Sequence, residues 1–180
     1  MSVSIIVDVK RLAKNVKLPK LETNGATAMD IACYFIHPDR KGELDIQIFD
    51  ELGVEVDGSY CYDRHSKCLV IPSGYVVFFR TYLSISYSPQ FAMQIDCRSS
   101  SAKKRYRIAN TRAHIDSDYT GQIYIPIHNW GKKNLLVQNG TKLVQMYLQR
   151  LNKIKWNEVQ ELNKTKRGAG GFGSTSKDKK

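Results

Sequence analysis

Apolar and polar residues alternate with a period of two along most of the chain. QIYIPIHN sets Ile123, Ile125 and Ile127 against Gln122, Tyr124 and Pro126, the pattern of a strand with one buried face. SVSIIVDV at residues 2–9, YVVFFRTYLSISY at 75–87 and QFAMQIDC at 90–97 are rich in β-branched and aromatic residues and predict further strands. Turn signals recur at Pro72-Ser73-Gly74, Ser88-Pro89, Tyr119-Thr120-Gly121, Asn129-Trp130-Gly131 and Asn139-Gly140. That spacing predicts an all-β fold, a sandwich, jelly roll or barrel. Pro126 cannot donate to a ladder and is expected at an edge or bulge. A short helix is expected around residues 101–106, and no internal repeat is visible. Residues 37–70 are acidic, turn-rich and weakly periodic, and read as a hairpin excursion on the core. From Lys164 the chain is glycine-rich, basic and poor in apolar residues, so a β domain at 1–163 is expected to carry a mobile arm at 164–180.

Composition narrows the function classes. A chain of 180 residues with 42% hydrophobic residues can bury one real core. It has neither a basic start followed by an apolar run nor an apolar stretch long enough for a bilayer. The expected location is therefore cytoplasmic, or the cytoplasm or nucleus of a host cell for a viral chain, with no membrane partner. Cys33, Cys61, Cys68 and Cys97 form no C-x-x-C pair. CYDRHSKC sets His65 between Cys61 and Cys68, three conceivable zinc ligands without a fourth, so free thiols are the better reading. The net charge of +11 is concentrated: residues 98–112 hold six Arg or Lys and no acid, and residues 150–180 hold nine bases and three acids. Such clusters suit a polyanion, either a triphosphate or nucleic acid, although a solvated basic surface has the same composition.

RGAGGFGSTS, residues 167–176, looks like two phosphate loops at once and satisfies neither. Gly168, Gly170 and Gly173 fit G-x-G-x-x-G, but only seven residues follow Gly173, too few for the helix on which a dinucleotide phosphate sits. Ser174 stands where the triphosphate P-loop has its lysine. What remains is a donor-rich strip of glycine N–H groups, the Ser174 and Thr175 hydroxyls and the Arg167 guanidinium, suited to phosphate. Phe172 has glycine on its flanks and a face free to stack on a flat ring. HIDSDYTGQ, residues 114–122, adds two carboxylates and a tyrosine, expected at the tip of a hairpin reached from Asn110. A carboxylate there can orient and deprotonate water; an ordinary Asx turn is the plainer alternative.

In chain order, ATAMDIA (26–32), RSSSA (98–102), HIDSDYTGQ (114–122), NGTKLVQ (139–145) and RGAGGFGST (167–175) resemble the five motifs of the trimeric dUTP pyrophosphatase (dUTPase) family. The resemblance spans about residues 20–176. It implies a jelly-roll-like β domain and a homotrimer whose active sites lie between subunits. Motifs one, two and four, motif three, and motif five would then come from three different chains. Asp116 would activate the water that attacks the α-phosphorus of dUTP, giving dUMP and pyrophosphate and limiting uracil incorporation into DNA. Tyr119 would pack under the deoxyribose and exclude a 2′-hydroxyl. Asn110, with backbone groups at His114 and Ile115, would pair with the uracil edge and reject cytosine, whose amino group would leave buried groups unpaired. Arg98, Ser99, Ser100 and Gln145 would serve the triphosphate. Arg167, Gly173, Ser174 and Thr175 would close over the γ-phosphate, and Phe172 would cover the uracil. Mg²⁺ would be held by phosphates and waters rather than by protein ligands, with Asp30 contacting those waters.

The sequence departs from the family pattern at four places. Ala28 stands where a glycine is usual, Ser99-Ser100 replaces Ser-Gly, Ala113 and His114 alter the rim of the uracil pocket, and a minimal member lacks residues 37–70. Two other functions fit parts of the chain. A dCTP deaminase, or a bifunctional deaminase and dUTPase, shares the fold. A nucleic-acid-binding or regulatory β module would use the basic 98–112 segment; nucleic acid is thus compatible with the sequence but not required by it.

Overall fold

The structure is a computed structural model and describes residues 4–170. Fourteen strands form nearly all its regular structure: β1 (Asp8–Arg11), β2 (Met29–Cys33), β3 (Gln47–Phe49), β4 (Glu55–Val56), β5 (Tyr62–Asp63), β6 (Cys68–Ile71), β7 (Val76–Arg80), β8 (Leu83–Ser86), β9 (Phe91–Cys97), β10 (Tyr106–Ile108), β11 (Ala113–Ile115), β12 (Tyr124–Asn129), β13 (Leu135–Gln138) and β14 (Thr141–Arg150). One short helix, α1 (Ser101–Lys104), and a 3-10 turn complete them. Two large antiparallel sheets, β10-β12-β7-β3-β4 and β11-β9-β14-β2, carry the core between them, with β13-β6-β5 and β1-β8 alongside. The chain is all-β and jelly-roll-like, and spatial neighbours are mostly not consecutive in sequence. Among the described residues no helix is long and apolar enough to cross a membrane.

Alternation is what builds this core. In β9, Met93 and Ile95 are buried in the main hydrophobic cluster, and in β12 so are Ile125 and Ile127, with Ile123 just before the strand. The intervening Gln94 and Asp96 face away from that cluster. Residues 37–70 form the hairpins β3–β4 and β5–β6, which pair onto β7 and β13, and give Ile48, Cys61 and Leu69 to the core. All four cysteines are free, with Cys33 and Cys61 buried; burial pushes the Cys33 thiol up to about 12.

Several local expectations need correction. Pro126 is neither at an edge nor in a bulge but in β12, between β10 and β7. Its carbonyl accepts from the Ala109 N–H at 2.8 Å, one residue beyond the end of β10. Because N–H and C=O of one residue point to the same neighbour in an antiparallel strand, its donorless nitrogen faces the place where β10 has stopped. The first strand begins at Asp8, so residues 4–7 of SVSIIVDV lie outside it. YVVFFRTYLSISY is two strands, broken where Tyr82 takes φ 54° and the chain passes from one sheet to another. The hairpin expected from Asn110 does not form. β10 pairs with β12 and β11 with β9, and the turn at 109–112, with Thr111 at φ 65°, carries the chain between two sheets. After Arg150 the described residues contain no regular element, and most are exposed.

Asn129, wholly buried, organises the turn after β12. Its amide nitrogen donates to the carbonyls of Ile71 (2.9 Å), Pro72 (3.1 Å) and Lys133 (2.9 Å), and its Oδ1 accepts the Gly131 N–H at 3.1 Å. Asn129→Ala would leave these main-chain groups unpaired, at about 1–3 kcal/mol for each that stays buried. We expect a loss of roughly 3 kcal/mol of stability by urea unfolding; a loss under about 1 kcal/mol would contradict the clamp.

Candidate active site

Register brings distant residues into one row. Asp30 on β2 faces Gln145 on β14, and Gln145 faces Asp96 on β9. Asp30 is 8% exposed, and its Oδ1 receives the Arg98 Nε at 2.9 Å. Arg98 is held by main chain: its Nη1 donates to the Lys142 carbonyl at 3.2 Å and its N–H to the Leu143 carbonyl at 3.3 Å. Both carbonyls lie where the register of β14 against β2 shifts between Lys142 and Val144, an irregularity of the kind that re-aims backbone groups. Asp30 Oδ2 is buried and has no partner within the described residues. A buried carboxylate oxygen without a donor is costly, so this atom suits a donor from outside the chain, such as a bound water. Ser99 and Ser100 follow in an exposed turn leading into α1.

The third motif lies elsewhere on the same sheet. Asp116 is exposed just beyond β11, in a turn closed by the Tyr119 N–H on its carbonyl at 3.1 Å. The Tyr119 ring folds over Gly121, where an added Cβ would sit 2.7 Å from the ring, and its hydroxyl donates to the Gln122 carbonyl at 2.8 Å. The Tyr119 side chain is 43% exposed and presents a flat surface. His114, Ile115, Asp116 and Tyr119, with Ile123 and Tyr124, line a cavity of about 250 Å³. Tyr87 fixes the end of β11: its hydroxyl donates to the Ile115 carbonyl and accepts the Met93 N–H at 2.8 Å. Burial raises the Tyr87 pKa, and the carboxylates of Asp116 and Asp118 add to the rise, so this hydroxyl stays a donor.

These residues fall into two groups within one chain. Arg98, Ser99, Ser100, Asp30 and Gln145 cluster at one end of the β9–β14–β2 ladder. His114, Ile115, Asp116 and Tyr119 lie at the other end, with Asn110 in the turn before β11. Arg112 and Asp116 flank β11, four residues apart; Arg112 pairs with Asp96 at 3.0 Å in the Asp30 row, and β11 is three strands from β2. At ~3.4 Å per residue and ~4.8 Å per strand, the two carboxylates stand roughly 20 Å apart. Arg167 is exposed, its Nε donating to the Gly170 carbonyl at 2.8 Å; Phe172, Gly173, Ser174 and Thr175 lie outside the described residues. Among the described residues no three His, Cys, Asp or Glu side chains converge as a metal site.

The family description for dUTPase matches residues 61–176. A deoxyuridine 5′-triphosphate nucleotidohydrolase from Dictyoglomus turgidum is 30% identical over 171 residues, 95% of this chain and 98% of the relative. The chain belongs to the dUTPase family. A second such relative, from Rickettsia bellii, is 35% identical over 108 residues, 59% of this chain and 72% of its own. In three dimensions the chain resembles a mutant dUTPase from phage phi11 of S. aureus, a structure concerned with a structural Mg(II) ion. The TM-score is 0.60 at 14% identity, covering 87% of this chain and 97% of that one.

For a dUTPase-family chain two of the departures are sterically mild. Ala28 is not among the residues with positive φ, so its methyl group meets no backbone strain. Ser100 has φ −64° and ψ −18°, which any residue adopts. Sequence reasoning missed Tyr87, the Arg112–Asp96 pair and the Arg98 carbonyl clasp. Nothing in the alternation marks them, because each depends on which strands become neighbours.

Proposed function

We propose that this dUTPase-family chain hydrolyses dUTP to dUMP and pyrophosphate at sites assembled from more than one copy. The observation that carries the reading is the buried Asp30 carboxylate, paired with the part-exposed Arg98 and leaving its Oδ2 unpartnered among the described residues, beside the exposed donors of Ser99 and Ser100. This is a cradle for a triphosphate that arrives with a hydrated cation. Arg98, the two serines and Gln145 bind and orient the phosphate chain. Asp116 takes a proton from the water that attacks the α-phosphorus, and Tyr119 packs against the sugar. Asn110 and the backbone at His114 and Ile115 read the uracil edge; Arg167, Gly173, Ser174 and Thr175 close on the γ-phosphate, with Phe172 over the base.

Magnesium fits this donor set. Asp30 Oδ2 would accept from water on an ion carried by the phosphate oxygens, and no ring of protein ligands is needed. When bound, Mg²⁺ supplies charge neutralisation at the phosphates.

The separation of the Asp30 and Asp116 groups supports a site shared between copies, and a homotrimer is the family's arrangement. The segment after β14 supports it too. Leu151, Ile154, Trp156, Val159 and Leu162 are all exposed, a run of apolar side chains that suits packing on another subunit.

The family match and the relatives' names favour dUTP over deamination of dCTP. Incubating the purified protein with each nucleotide tests this. Pyrophosphate from dUTP with no ammonia from dCTP is expected; ammonia from dCTP without pyrophosphate from dUTP would overturn it.

A further inference from the structure

We infer that helix α1 and the loop at 130–134 form a second binding surface, separate from the substrate site, that takes single-stranded nucleic acid. Lys103, Lys104 and Arg105 lie 27 or more residues before Lys132 and Lys133, yet all five line one concavity of about 470 Å³. Its other lining residues are Gly131 and Asn134, so it contains no acid. None of the five cations takes part in an ion pair among the described residues. Elsewhere Arg80, Arg98, Arg112 and Lys142 each have a carboxylate. Five cations in one hollow with no counter-charge repel one another, and a polyanion relieves that repulsion.

The hollow is built rather than incidental. Arg105 adopts φ 58°, and its carbonyl accepts the Trp130 N–H at 3.2 Å. Gly131 is required for the close approach: a Cβ there would lie 3.0 Å from the Arg105 Cβ and 3.2 Å from Asn129 Oδ1. The buried Asn129 clasps the Gly131 N–H and the Lys133 carbonyl, so the backbone that presents Lys132 and Lys133 is fixed before any ligand arrives.

An aromatic ring next to the hollow, in contact with Arg105 of its lining, selects the class of polyanion. Trp130 is 44% exposed, and the Arg105 guanidinium sits 5.2 Å from the centre of its ring. An indole braced by a cation beside a row of lysines is the combination that binds an unpaired base together with its phosphates. A duplex offers the phosphates but keeps its bases stacked, and inorganic polyphosphate offers no base. Arg98, which begins the same basic segment, is turned away onto Asp30, so the surface and the substrate cradle use different side chains.

The test uses the full chain and a fluorescein-labelled oligothymidine of about twenty nucleotides, long enough to span a single-strand site. Binding by anisotropy should weaken with salt, with a log–log slope of about −3 if most of the five cations meet phosphates. K132E/K133E should lower affinity at low salt by tenfold or more and bring the slope to about −2. W130A should lower affinity about tenfold while keeping the slope. Both variants should turn over dUTP at the parent rate. The proposal fails if K132E/K133E binds the oligonucleotide as the parent does. It fails equally if a duplex of the same length, or inorganic polyphosphate, competes as well as the single strand and W130A has no effect.

Discussion

Asp116→Asn should reduce pyrophosphate release from dUTP by about a thousandfold, in the middle of the range for a lost general base, while nucleotide binding stays within a few-fold. The substitution keeps size and shape and removes only the basic oxygen. Its structural cost should be small. The turn is closed by the Asp116 main-chain carbonyl with the Tyr119 N–H, which asparagine retains, and no hydrogen bond to the Asp116 carboxylate is found among the described residues. A thermal midpoint matching the parent would exclude misfolding, and calorimetry with a non-hydrolysable dUTP analogue would read binding separately from turnover. Asp118→Asn is the control, because Asp118 is equally exposed two residues on and could act as base only if the assignment were wrong. Parent-like activity in Asp116→Asn, or a larger loss in Asp118→Asn, would move the base elsewhere.

How far the sequence anticipates this molecule depends on the range of the interaction concerned. Period-two alternation marks the strands around Ile125 and Met93 because the buried face of a strand is a local property of its own residues. Each of the turns expected at Gly74, Pro89, Gly121, Gly131 and Gly140 falls between strands. Pro126 departs from the edge or bulge expected of it because its tolerance depends on where a neighbouring strand ends, at Ile108, which local pattern does not encode. The break at Tyr82 and the crossing at Thr111 were hidden for a similar reason. A left-handed residue inside an apolar run is held by tertiary contacts, here Thr81 Oγ1 donating to the Ile123 carbonyl at 2.8 Å beside Tyr82. The candidate site divides the same way. Motif order identifies its residues, but the Arg98 contact with Asp30 joins positions 68 apart in sequence, and only strand neighbourhood creates it. The basic hollow is the extreme case. The 98–112 run is visible in composition, whereas the addition of Lys132 and Lys133 rests on one buried asparagine.

Two inactive variants mixed before assembly should recover activity if, as proposed, the chemistry is divided between copies. One variant is Asp116→Asn, which lacks the proposed base. The other is Asp30→Asn/Arg98→Ala, which lacks the phosphate and cation cradle; removing both partners avoids leaving one buried charge unpaired, a change that would itself destabilise the fold. Each alone should show under about 1% of parent activity if base and cradle are each essential. When equal amounts are unfolded together and reassembled, a site works only if its cradle comes from the first variant and its base from the second. Random mixing into a cyclic oligomer gives each of these contributions a half chance, so about one quarter of the sites should be active. If instead one chain supplied both groups to the same site, every site in the mixture would lack one of them and activity would stay at the level of the parts. Native mass spectrometry of differently tagged chains would establish that mixed assemblies had formed. The ladder geometry decides which outcome is expected: Asp30 and Asp116 stand roughly 20 Å apart, three strands across and four residues along a single sheet. Under the proposed roles a water on the α-phosphorus meets both regions within a few ångström, and a packed sheet cannot fold through the distance between them without giving up the core formed by Ile31, Met93, Ile95 and Met146. A second copy can bring the two groups together while both sheets stay intact.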